Sequence, residues 1–124
     1  MGNILYQEKT YQIIGHCMEV HKILGPGLLE VVYKDALEYE FKQHRLPCSR
    51  EKKYEIVYKD VILPHYYFAD FIVYGDIMLE AKASSIILDK FIAWSPHYMN
   101  LANSPVGLIV NFGTKSLQHK RLVL

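Results

Sequence analysis

Three ionisable side chains stand in segments that otherwise look interior. Glu80-Ala81-Lys82 follows Ile77-Met78-Leu79 and precedes Ala83, and Asp70 lies within Phe68-Ala69-Asp70-Phe71-Ile72-Val73. Charged residues are seldom buried unless paired. If both segments are strands, alternation places Glu80 and Lys82 on one face, and Asp70 on the preceding strand can join them. Two carboxylates and a backbone carbonyl make a hard oxygen site suited to Mg²⁺ or Mn²⁺, and a neighbouring lysine can orient a water or help to deprotonate it. The competing reading puts Glu80 and Lys82 on a solvated sheet face with Asp70 at a strand end. An Asp…Glu-x-Lys spacing on its own fits either.

Counting decides whether the two carboxylates can meet. If Gly75-Asp76 were a two-residue hairpin loop, opposed residues would have numbers adding to 151, as Tyr74 and Ile77 do. Asp70 would then face Ala81, and Asp70 and Glu80 would lie on opposite sides of the sheet. A working site therefore requires a three-residue loop with Gly75 left-handed, or a β-bulge beside Asp70.

The elements that position these groups follow from hydrophobic period. Ile13, Ile14, Cys17, Met18, Val20 and Leu24 recur at helical spacing and predict a helix over residues 5–24. Gly25-Pro26-Gly27 ends it, because glycine suits the left-handed residue past a helix end and proline cannot continue the helix. Leu29, Val32, Tyr33, Ala36, Leu37 and Phe41 predict a second helix over 28–44. After Leu46-Pro47 the period shortens to two, and β-branched and aromatic residues become frequent. Strands over 52–58, 66–74 and 77–83, with turns at Lys59-Asp60 and Gly75-Asp76, form a meander. Residues 85–103 predict a helix that Pro96 interrupts, or one that starts late with Ser95 as N-cap and Pro96 at the first helical position. Val106 to Asn111 has the apolar run of a strand buried on both faces, and 120–124 predicts a closing edge strand. The order gives an α/β fold: two N-terminal helices, a three-stranded meander, a helix, a buried strand and an edge strand in a mixed sheet.

A chain of 124 residues has room for one domain, spanning 1–124. Its 51% hydrophobic and 13% aromatic content can fill a core and excludes disorder. The longest apolar stretches fall far short of the roughly 20 residues of a membrane span. Residues 1–4 lack the basic-then-apolar pattern of a signal peptide, and Tyr6 stands where a myristoylation motif has Ser or Thr. A soluble protein without a membrane partner is expected. A net charge of +1 provides no global field for a polyanion, so nucleic acid would have to be held locally. Cys17 and Cys48, without CxxC spacing, suggest reduced thiols in a cytoplasmic protein, with Cys17 buried on the first helical stripe. The six histidines show no HxxxH or HExxH spacing, and zinc is not expected. His21 lies on an apolar stripe and should be packed with a hydrogen-bond partner.

Val20-His21-Lys22-Ile23-Leu24-Gly25-Pro26-Gly27-Leu28-Leu29-Glu30-Val31-Val32-Tyr33, then Asp70, Glu80-Ala81-Lys82, Gly107-Leu108-Ile109-Val110-Asn111-Phe112-Gly113 and Lys120-Arg121, resemble the small GxxExxR family over almost the whole chain. That family is placed in the PD-(D/E)xK nuclease superfamily. The likeness implies a restriction-endonuclease-like core and a nuclease that hydrolyses DNA with Mg²⁺ or Mn²⁺. It implies Asp70, Glu80 and the Ala81 carbonyl as metal ligands, Lys82 as the water-orienting residue, and Glu30 as an auxiliary acid. Glu30 in a first helical turn also opposes the helix dipole. Tyr98, Lys120 and Arg121 would contact nucleic acid. A homodimer mate or protein partner could complete the grip on DNA. The rival function is a catalytically silent module, binding nucleic acid or protein on the same fold.

Two positions depart from the pattern. Tyr33 stands where the family name has Arg. Related nucleases carry a Gln four residues before the Tyr of the helix that follows the Glu-x-Lys strand, and here that place is Trp94, before Tyr98. Either His97 supplies the missing polar group or the site is impaired; Trp94 itself is expected to pack in the core. The basic cluster Lys115, His119, Lys120 and Arg121 suits phosphate contacts or the protection of an edge strand against aggregation.

Overall fold

The glycine-proline elbow separates two helices that cover one face of a sheet. In the computed structural model of the protein, which describes residues 2–86 and 89–124, α1 runs Gly2–Leu24 and α2 runs Glu30–Gln43. The first starts earlier and the second slightly later than the hydrophobic stripes predict. Gly25 (φ +70°) and Gly27 (φ +102°) adopt left-handed backbone between them, a conformation that a Cβ disfavours. Tyr33 locks the elbow from α2. Its hydroxyl donates to the Gly25 carbonyl (2.5 Å) and accepts from the Leu28 amide (3.1 Å), while its buried ring stacks on Phe112 at 4.7 Å.

Five strands follow in a mixed sheet of order β1-β2-β3-β4-β5: β1 Cys48–Tyr58, β2 Val61–Val73, β3 Ile77–Lys82, β4 Val106–Asn111 and β5 Gln118–Val123. All neighbours are antiparallel except β3 and β4, which are parallel. The link between them carries α3, Asp89–Leu101. β1 and β2 are longer than predicted; β2 includes Pro64, which cannot donate to a ladder, and the register shifts nearby, between Glu55 and Val57. Helix α3 runs unbroken through Pro96, so the late start at Ser95 does not occur. The buried Ser95 hydroxyl instead donates to the Phe91 carbonyl (2.7 Å). Ile87 and Leu88, within the helix expected over 85–103, lie outside the described residues, as does Met1.

Helices α1 and α2 pack on one sheet face through Ile13, Cys17, Tyr33, Leu37 and Phe41 against Phe71, Leu79, Leu108 and Val110. Met99 of α3 and Ala102, just past its end, cover the other face against Ala69, Ile72 and Met78. All six residues of β4 are buried, as its apolar run predicts. His21 is packed as expected, bonded to the Thr114 carbonyl (2.8 Å).

The end of β3 is tied to the end of β4 by Asn111, which is fully buried. Its Oδ1 accepts the amides of Ser84 (3.0 Å) and Gly113 (3.1 Å), and its Nδ2 donates to the Ser84 carbonyl (2.9 Å). Gly113 permits this approach, since a Cβ there would lie 2.2 Å from the Ser84 carbonyl oxygen. Gly113→Ala is therefore expected to destabilise the protein by about 1–3 kcal/mol in denaturant titration, whereas Gly15→Ala, in open space on α1, should be neutral or stabilising.

Candidate functional site

The β2–β3 turn sets the register on which the site depends. Phe71 pairs with Leu79, Ile72 with Met78 and Val73 with Ile77, so partner numbers add to 150 and Tyr74-Gly75-Asp76 is a three-residue loop. Tyr74 (φ +56°) and Gly75 (φ +81°) are left-handed, as the even register requires. A second irregularity lies at Asp70 itself. β1 and β2 pair at Arg50·Phe71 and again at Lys52·Ala69, omitting the step between, where Glu51 has φ +53°. Ala69 packs with Met78 and Met99, while Phe71 packs with Phe41 on the other face. Residues two apart on a regular strand share a face, so β2 is kinked at Asp70.

That kink aims the Asp70 carboxylate across to β3, where its Oδ2 accepts the Ala81 amide hydrogen (2.9 Å). An amide and carbonyl of one strand residue lie along the same strand edge, so the Ala81 carbonyl also faces β2. Glu80 and Lys82 line the same pocket as Asp70, a cleft of about 240 Å³ walled by Tyr67 and Phe68 from β2, Phe91, Trp94, Ser95 and Tyr98 from α3, and Ile109 from β4. The Tyr67 hydroxyl donates to Glu80 Oε1. Asp70 and Glu80 are both buried, at 7% and 8% exposure. Burial first, and then the Asp70 charge, push the Glu80 carboxyl up to about 8, against the opposing pull of the Tyr67 hydrogen bond and the Lys82 charge. Burial and the same carboxylate raise the Tyr67 phenol well above its ordinary value.

The balancing cation comes from α2. Lys34 Nζ lies 2.8 Å from Asp70 Oδ1, 3.4 Å from Glu51 Oε1 and 3.5 Å from Glu30 Oε2. Burial works to lower the Lys34 ammonium pKa, but the hydrogen bond and charge of Asp70, with the charges of Glu51 and Glu30, outweigh it and leave it raised. Glu30 thus occupies the first turn of α2, where it opposes the helix dipole, and touches the cluster through Lys34. Lys82 Nζ sits over the Phe91 ring at 4.9 Å from its centroid.

A family model described as the PD-(D/E)XK nuclease superfamily matches residues 7–122. The chain belongs to the PD-(D/E)XK nuclease superfamily. The crystal structure of SSO0001 is similar in fold, with a TM-score of 0.60 at 19% identity, over 74% of this chain and 48% of that one. This chain therefore spans about half of that protein's length. No curated protein sequence matches significantly. Among the described residues, the mixed five-stranded sheet with three helices is consistent with the restriction-endonuclease-like fold of the superfamily.

Within that superfamily fold, the sequence-predicted residues separate into two sets. Asp70, Glu80, Ala81 and Lys82 come together, with Glu30 joined through Lys34, and Tyr98 lines the pocket, stacked on Tyr67 at 4.3 Å. Lys120 pairs with Ile109, which pairs with Glu80, so it lies on the pocket's sheet face two strands away. Arg121 does not: it pairs with Leu108 and lines a separate cleft against α1 with Gln7 and Thr10, because strand neighbours alternate faces. Trp94 is not core; it is 47% exposed over the pocket. His97 is exposed and takes no part in the pocket wall. The polar residues unforeseen in the sequence are Lys34 and Tyr67. A Glu30–Lys34 pair at i,i+4 was the available signal, but on its own it resembles any solvated helix pair.

The oxygen donors suit a hard divalent cation: two carboxylates and a carbonyl on one strand edge. Lys34 supplies positive charge to Asp70, and a cation would compete with it there. In Lys34→Met, Mn²⁺ is expected to raise the melting temperature more than in the wild-type protein; a smaller rise would show that Lys34 does not compete for Asp70. The raised Glu80 carboxyl gives a second test. Folding lets Glu80 keep its proton, so its contribution is fully present below the ordinary value of 4.5 and is lost as pH rises through about 8. The melting temperature of chelator-treated protein should fall across that interval, and Glu80→Gln should flatten the fall. Equal slopes in the two proteins would exclude Glu80 as its source.

Proposed function

We propose that the protein is a Mg²⁺- or Mn²⁺-dependent nuclease of the GxxExxR family that hydrolyses phosphodiester bonds in DNA. The observation that carries this reading is the meeting of Asp70, Glu80, the Ala81 edge and Lys82 in one cleft open to solvent. Asp70, Glu80 and the Ala81 carbonyl would hold the ion. Once bound, the cation supplies Lewis acidity, drawing a phosphate oxygen and favouring the ionisation of a water. Lys82, held against the Phe91 ring, positions that water and offsets negative charge as it develops at phosphorus. Tyr67 fixes one oxygen of Glu80 and leaves the other for the ion. Lys120, on the same sheet face, supports a phosphate further along the strand.

One observation favours the rival, a silent binding module. Trp94 stands over the cleft where related nucleases carry Gln, and it supplies an aromatic surface rather than a polar contact. The two readings separate on supercoiled plasmid incubated with Mn²⁺. Nicking by the wild-type protein should fall at least about a hundredfold in Lys82→Ala and vanish in Asp70→Asn. Plasmid binding without nicking by the wild-type protein would identify the silent module.

A further inference from the structure

A second donor cluster lies at the seam of α1 and α2, away from the cleft. His16 of α1 meets Glu40 of α2 and His44, the residue that caps α2, with one ligand atom from each residue all within 4.8 Å of one another. Glu40 Oε2 is 3.5 Å from His44 Nδ1 and 4.0 Å from His16 Nδ1. Glu40 and His44 are four residues apart at the C-terminal end of α2, which brings their side chains to the same side. Both rings are held in place. His44 Nδ1 donates to the Glu40 carbonyl (2.9 Å) at the end of the helix, a bond that ligation through that nitrogen would exchange for the metal, and His16 packs edge-on to Phe41 at 6.1 Å.

We propose that His16, Glu40 and His44 form a site for a Zn²⁺-like transition-metal ion that staples α1 to α2. Ligand bonds of about 2.0–2.2 Å put the edges of a tetrahedral site near 3.4 Å, so side-chain adjustments of about an ångström or less close the observed triangle. Two imidazoles and a carboxylate select Zn²⁺, Co²⁺ or Ni²⁺ over Mg²⁺, the opposite preference to the all-oxygen cleft. The carbonyl end of α2, with its negative dipole end, further favours a cation. Glu19 lines the same open cleft. From Glu30 to Glu40 the helix rises about 15 Å, which separates this ion from the Asp70 cluster. Because α2 also carries Glu30 and Lys34, a staple at its far end fixes the helix that presents them.

The test uses the full chain carrying Asp70→Asn and Glu80→Gln, which removes ion binding in the cleft. Zn²⁺ should raise its melting temperature, Mg²⁺ should not, and Co²⁺ should develop visible ligand-field absorption. Adding His44→Gln, at a half-exposed position that tolerates change, or His16→Gln should weaken Co²⁺ binding at least about tenfold, since even outer-shell changes cost that much. Adding His97→Gln, an exposed histidine elsewhere, should leave binding unchanged. The proposal is overturned if the parent shows no Co²⁺ absorption, if His44→Gln retains it in full, or if His97→Gln loses it equally. None of these outcomes bears on the nuclease reading, which the plasmid assay tests separately.

Discussion

Two carboxylates buried on adjacent strands repel each other and resist leaving water, so the surrounding structure has to supply what solvent no longer does. Asp70 is met by the Ala81 amide on one oxygen and the Lys34 ammonium on the other. Each contact constrains a different part of the chain. The amide contact needs β2 and β3 in the even register, and hence the left-handed Tyr74-Gly75 turn. It also needs the kink that turns Asp70 out of the alternation obeyed by Phe71 to Val73. The ammonium contact requires α2 to arrive with its first turns over the end of β2.

That placement of α2 is set by apolar packing rather than by the charges. Tyr33 bonds the elbow and stacks on Phe112 of the β4 end, and Phe41 meets Phe71 edge-on at 5.5 Å. A stacked pair and a T-shaped pair fix both ends of the helix against the sheet, and Lys34 is presented between them. Tyr33 thus has a structural use: its hydroxyl ties the elbow, and its buried ring spaces α2 from β4. The Phe112–Gly113 segment that receives it is the same segment that Asn111 fastens to Ser84, beyond the Glu-x-Lys strand.

Much of this was legible from residue types and counting. The elbow, the apolar β4 and the requirement for an even register follow from glycine conformation, period and alternation, and each is local or involves neighbouring strands. The fold class followed from the order of elements. What escaped depends on longer-range geometry. Lys34 looks like half of an exposed helix pair until the tertiary fold puts Asp70 beside it. Trp94 looks like core by composition, yet α3 continues through Pro96 and turns it over the cleft. Lys120 and Arg121 form one basic cluster in sequence, but strand alternation sends them to opposite faces. The histidine spacing contains no HxxxH or HExxH pair and so argued against zinc. It could not register a cluster whose ligands come from two helices.

The two carboxylates end in unlike settings, and the difference has a consequence for charge. Asp70 has an ammonium and an amide at contact distance, whereas Glu80 faces a phenol donor, its own burial and the neighbouring Asp70 charge. The proton that the crowded pair retains therefore belongs on Glu80, and the positive charge already present belongs beside Asp70. A divalent ion held by both carboxylates would have to replace both, with a proton leaving Glu80 and the Lys34 ammonium leaving Asp70. Glu51 and Glu30 offer Lys34 somewhere to go, since both lie within 3.5 Å of its Nζ. Two acids beside the Lys34 ammonium would thus allow the exchange without leaving an unpaired charge in the protein interior.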